Sequence, residues 1–109
     1  MKKVLCVILA LCLALSLVAC AGGGTKVDDS KKTVGISMPT QDLQRWNQDG
    51  ANMKEKFEAA GYNVDLQYAN NDVATQVSQV ENMIASGDDV LVIAAIEGNS
   101  LGAVLATAK

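Results

Sequence analysis

Residues 90–96 read VLVIAAI, seven in a row without a polar side chain. A strand with one wet face alternates polar and apolar residues, so an unbroken apolar run of this kind calls for cover on both faces. The run is far short of the ~20 residues that cross a bilayer as a helix. Glu97-Gly98-Asn99 closes it as a turn. A chain that contains such a segment must lay helices over both faces of a sheet, and the flanking sequence does supply helical periods.

Residues 34–38 (VGISM) are apolar around one serine and stop at Pro39, the pattern of a short buried strand. The period then changes. Over residues 42–60, Leu43, Trp46, Gly50, Met53, Phe57 and Ala60 recur at spacings of three and four, one face of a helix, and Gly61 follows as its stop. Residues 63–68 (NVDLQY) alternate, with Val64, Leu66 and Tyr68 on one side, as in a half-exposed strand near a sheet edge. Asn70-Asn71-Asp72 is a turn in which Asp72 is placed to cap the next helix. Val73, Val77, Val80 and Ile84 form that helix's stripe, and Gly87 ends it. Ser100 is placed to cap a third helix from Leu101, which the end of the sequence cuts off.

Strand, helix, strand, helix, strand, helix start is the order of an α/β fold, a parallel doubly wound, Rossmann-like sheet with right-handed crossovers. The expected strand order is 2-1-3. Ligands of such sheets bind beyond the carboxyl ends of the strands. Those ends here carry Pro39 to Arg45, Ala69 to Asp72, and Glu97 to Ser100.

Composition removes several functions. The chain has 109 residues, a net charge of −3 and no histidine. From Lys31 onward, acidic residues outnumber basic ones ten to six, and no basic cluster offers a footprint for nucleic acid. The missing imidazole takes away the commonest general base and metal ligand. The three cysteines, Cys6, Cys12 and Cys20, all precede the candidate domain, so the domain holds neither a disulfide framework nor a thiolate metal site. The paired carboxylates Asp28-Asp29 and Asp88-Asp89 are chain neighbours that point apart, unlike an acid/base dyad. Gly22-Gly23-Gly24 follows no strand, and Gly98-Asn99-Ser100 lacks the lysine and spacing of a phosphate loop. The reading is of a binding protein that needs no cofactor and no metal.

The first 32 residues serve export. Lys2 and Lys3 precede an uncharged apolar run from Val4 to Val18, the layout of a secretory signal. Leu17-Val18-Ala19-Cys20 resembles the lipobox of bacterial lipoproteins, which implies cleavage after residue 19 and a diacylglycerol on the Cys20 sulfur. Residues 20–32 are rich in glycine and charge and read as the lipidated cysteine and a flexible tether. The expectation is a protein held by lipid on the outer face of the cytoplasmic membrane.

Residues 33–109 resemble the periplasmic sugar-binding proteins of ABC importers, in the xylose-binding and multiple-sugar-binding branch. The stretches that carry the resemblance are VGISMP (34–39), QRW (44–46), AAGYNVDLQYANND (59–72), QVSQVENMIASGDDVLVIAAIEG (76–98) and SLGAVLATAK (100–109). It implies a two-lobed type I periplasmic binding fold that closes over a monosaccharide such as xylose, glucose or galactose and delivers it to an ABC permease. Residues 33–109 are expected to be a truncated first lobe.

In that branch an Arg-Trp pair just after the first strand contacts the sugar, which implies Arg45 and Trp46 here. The chemistry suits the role. An indole face stacks on the C–H face of a pyranose, and a guanidinium offers a fixed fork of donors to sugar oxygens. Trp46 also shares a stripe with Met53 and Phe57, so core packing is its other reading. Thr40 and Gln41, with Asp42, offer polar groups to hydroxyls or else serve the loop and the helix start. Xylose-binding members carry more charge in this loop, so the preferred sugar is open. Glu97 and Asn99 reach either the cleft or a neighbouring loop. A sugar-sensing receptor that feeds a chemoreceptor or sensor kinase shares every one of these features.

Overall fold

The computed structural model describes residues 27–108. The signal segment, the lipobox and Cys20 lie outside the described residues. Three strands, β1 (Thr33–Met38), β2 (Asn63–Tyr68) and β3 (Val90–Ile93), alternate with α1 (Gln44–Ala59), α2 (Val73–Ser86) and the single turn α3 (Gly102–Leu105). The sheet is wholly parallel in the order β2-β1-β3, as expected. Each residue of β1 from Val34 to Ser37 therefore has a partner on both sides: Gly35 faces Asp65 and Leu91, and Ile36 faces Leu66 and Val92.

The two faces of β1 differ, and the helices follow the difference. Val34, Ile36 and Met38 are buried together with Trp46, Met53 and Phe57 of α1 and with Val64, Leu66 and Tyr68 of β2. The opposite face offers Thr33 at its start and then only Gly35 and Ser37. There α2 comes close enough that a β-carbon on Gly35 would meet the Asp88 carboxylate, with Met83 Sδ at 2.9 Å and Leu91 Cδ2 at 3.0 Å. Val80 of α2 buries with Leu101 and Val104, against Leu91 and Ile93 of β3. The chain steps from β1 to β2 in one direction and from β2 to β3 in the other, so right-handed crossovers put α1 and α2 on opposite faces.

The ends of α1 and α2 explain their lengths. At the end of α1, Gly61 has φ +93°. Its N–H donates to the Glu58 carbonyl and that of Tyr62 to the Phe57 carbonyl, both at 3.0 Å. The Phe57 and Tyr62 rings meet edge to face at 6.1 Å, the apolar contact that accompanies such a cap. Gly87, at φ +82°, ends α2 in the same way. Asp72 caps α2, its Oδ1 accepting from the Thr75 N–H at 2.6 Å, and these bonds hold its carboxyl below the ordinary range. Asn70 and Asn71 take positive φ, and the Asp72 N–H closes the turn on the Ala69 carbonyl at 2.9 Å.

Four expectations change. The first helix starts at Gln44, and Leu43 stands outside it, 55% exposed. The run at 90–96 is strand only to Ile93. It forms an edge of the described sheet, and Val90 is half exposed although the run carries no polar residue. Ser100 does not cap the third helix: its hydroxyl donates back to the Glu97 carbonyl at 2.8 Å, and Leu101 occupies the capping position. Lastly, residues 28–32, the end of the segment read as tether, form a turn. Asn63 binds that turn, its side chain donating to the Asp28 carbonyl at 2.8 Å.

Asp88 is the electrostatic misfit of this lobe. Its Oδ2 is buried without a hydrogen-bond partner. Burial, and then the charges of Asp65 and Asp89, raise its carboxyl above the ordinary 3.8. The folded state therefore holds the proton more tightly than the unfolded one. Ionised Asp88 weakens the fold at neutral pH, and the penalty fades as pH falls through the raised value towards 3.8. Asp88→Asn is accordingly expected to raise the melting temperature at neutral pH, with the gain shrinking in acid; equal melting curves at neutral pH would refute this. Gly35→Ala forces a methyl group into the β1–α2 contact and is expected to cost about 1–3 kcal/mol, as overpacked cores do. An unchanged denaturation midpoint would show that α2 can withdraw.

Candidate functional site

The carboxyl ends of β1 and β3 and the first turns of α1 form one edge of the lobe. A cavity of about 270 Å³ opens there, lined by Met38 at the end of β1, Trp46, Asp49, Asn52 and Met53 of α1, and Val92 to Ala94 at the end of β3. Trp46 is half-buried and packs against the Val34–Ile36–Met38 core, so it is a core residue that also fronts the cavity. The Arg45 guanidinium lies over its ring, 4.8 Å from the centroid. Asp49, one turn further along α1, holds the same guanidinium at 3.7 Å. Arg45 is 77% exposed, so the ion pair itself adds little to stability. Its consequence is positional, since a long side chain with two partners is confined to one region of the indole.

The rest of the edge serves mainly to shape the loops. Thr40 is fully buried, and its hydroxyl accepts from the Asp42 N–H at 3.1 Å. Gln41 is exposed, and its backbone carbonyl accepts from the Asn47 side chain at 3.5 Å. The structure thus brings Arg45 and Trp46 together, places Gln41 on the nearby surface and sets Thr40 beneath it. Glu97 and Asn99 are exposed in the turn after β3. The Asn71 N–H donates to the Pro39 carbonyl at 2.7 Å, tying the β2 turn to the loop after β1.

Sequence reading missed Gln76. It is 1% exposed on α2, and its side chain reaches Ser37 Oγ at 3.2 Å, the Ala94 carbonyl at 3.0 Å and the Ile96 N–H at 2.9 Å. The signal was present. Gln76 follows Val73 by three positions and precedes Val80 by four, so it is a polar residue on an apolar stripe. Among the described residues no group of His, Cys, Asp and Glu could hold a metal ion, and no helix is long and apolar enough to cross a membrane.

Residues 34–109 match the family model of a periplasmic binding protein domain. The chain belongs to the periplasmic binding protein family. This lobe is 56% identical over 75 residues to a multiple sugar-binding periplasmic receptor of Rhizobium radiobacter, covering 69% of this chain and 21% of that one. It is 39% identical over 109 residues to the D-xylose-binding periplasmic protein of Escherichia coli, covering 98% of this chain and 31% of that one. Among solved structures, an ABC transporter solute-binding protein of Clostridium phytofermentans with bound β-D-glucose superposes with a TM-score of 0.70 at 69% identity. That match covers 71% of this chain and 24% of the other. The chain therefore spans between a fifth and a third of the length of these relatives.

Proposed function

We propose that this lobe is part of an extracytoplasmic solute receptor that captures a monosaccharide and delivers it to an ABC permease. The observation that carries the reading is the Arg45–Trp46 pair at the carboxyl edge of a parallel sheet, the edge where open α/β folds take their ligands. Trp46 supplies an apolar plane for a pyranose C–H face, and Arg45 supplies charged donors for its oxygens. Gln41 adds a polar side chain on the same rim, and Thr40 supports the loop that carries it. The high identity to a protein solved with glucose supports an aldose as ligand.

Trp46→Ala is expected to weaken aldose binding by the full receptor at least tenfold, in line with the ~1–3 kcal/mol lost per base when aromatic platforms that stack nucleic-acid bases are truncated. Calorimetry on folded protein checks this. Unchanged affinity would leave Trp46 with core packing alone.

The resemblance of residues 17–20 to a lipobox supports anchoring of the same receptor through acylation of Cys20. Each buried CH₂ of the acyl chains would contribute about 0.8 kcal/mol to membrane attachment. Cys20→Ser is expected to release the protein from the membrane fraction of the source cells, with loss of the lipid from the intact mass. A variant still held by the membrane would point to a different anchor.

A further inference from the structure

Gln76 is too deeply buried to touch any ligand, yet it holds two strand ends at the proposed sugar edge. β3 ends at Ile93, and one more backbone bond, from the Ala94 N–H to the Ser37 carbonyl at 2.9 Å, closes the ladder. Beyond it the Ala94 carbonyl and the Ile96 N–H need other partners. The Gln76 amide provides both: Nε2 donates to the Ala94 carbonyl and Oε1 accepts from the Ile96 N–H. A side-chain amide carries the same donor and acceptor as a peptide group, so it continues the ladder by proxy where the strand stops. Nε2 also reaches Ser37 Oγ on β1, which references the segment to the central strand. Ala94 forms a wall of the cavity that Trp46 fronts.

The geometry points to Gln76 as a positioning residue of the sugar site, one that fixes the 94–96 segment from beneath and so sets the width of the cavity beside Trp46. This inference rests on the reading of that edge as the sugar site. Only a side chain with both a donor and an acceptor, at this length, can satisfy the Ala94 and Ile96 groups together. Strands β1 and β3 bring no titratable group to Gln76. The nearest along the chain are Asp72, whose carboxylate accepts from the Thr75 N–H, and Glu81, which is exposed on α2; Glu97, next to Ile96, is exposed as well.

The test is calorimetric titration of the native full-length protein with D-glucose, in wild type, Gln76→Glu and Gln76→Met. The stoichiometry counts folded molecules, so the dissociation constant reports on those alone. Gln76→Glu keeps the acceptor but, when ionised, turns a carboxylate onto the Ala94 carbonyl. It is expected to bind about tenfold or more weakly near pH 7.5 and to recover most of that loss near pH 5, because burial favours the protonated carboxyl, which restores the donor. Gln76→Met fills the same space without hydrogen bonds and is expected to bind weakly at both pH values. A purely structural role would lower the melting temperature and leave the dissociation constant and its pH profile alone. Affinity within about twofold of wild type, in whichever variant folds, overturns the inference. A wild-type protein that binds neither glucose nor another aldose overturns the sugar-site reading as well.

Discussion

The lobe depends on the asymmetry of one strand. β1 has paired neighbours on both edges and helices on both faces, and its side chains sort by size between those faces. Three large residues, Val34, Ile36 and Met38, lie under α1. Gly35 and Ser37, with almost no volume, let α2 settle close on the other side. Interiors pack near crystal density, so the distance of each helix from the sheet is set by the side chains between them. With α2 this close, the short amide of Gln76 can cross from the helix to the sheet and bond Ser37 and Ala94. The same closeness buries Asp88 Oδ2 against Gly35, where it finds no partner. A well-bonded polar group and an orphaned one thus have a common cause and lie at opposite ends of the same helix–sheet contact.

The proposed binding edge follows from that arrangement. In a parallel sheet every strand ends on the same side, so loops distant in sequence meet there without further folding. Pro39 accepts from Asn71 and Ser37 from Ala94, each contact joining one strand end to the next, and Ala94 accepts from Gln76, which ties that end to α2. The edge is thereby bonded as a unit before any ligand arrives. Preorganisation of this kind reduces the ordering cost of binding, which suits the receptor role proposed for this edge.

Much of this was legible in the sequence because the signals were local. Gly61 and Gly87 stop their helices through positive φ, and Asp72 starts one through a carboxylate and a neighbouring N–H. Alternation placed β2 at an edge, and the periods of three and four placed the stripes of α1 and α2. The differences came where more than one partner was on offer. Ser100 is a good cap by type, but the Glu97 carbonyl claims its hydroxyl. The run at 90–96 is apolar throughout, but the chain turns away after Ile93 and side-chain bonding to Gln76 replaces the ladder. Thr40 had two readings, contact with a sugar hydroxyl or service to the loop, and its buried hydroxyl accepts from the Asp42 N–H. In each case the residue type was informative, and the folded loop chose among the partners within reach.

Trp46 shows why packing and binding need not compete. The sequence offers it two roles, on the apolar stripe of α1 and beside an arginine that suits a sugar. The structure leaves it half-buried, packed against the core, lining the cavity and carrying the Arg45 guanidinium over its ring. An aromatic that contacts a ligand must be held still, because each rotamer frozen on binding subtracts from affinity. Packing against the Val34–Ile36–Met38 cluster holds the indole in place beforehand. Asp49 does the same for Arg45 by taking its guanidinium from the side. The core contact is thus a condition for the proposed sugar contact, and a residue that looked ambiguous in the sequence is one in which a single rigid plane serves both.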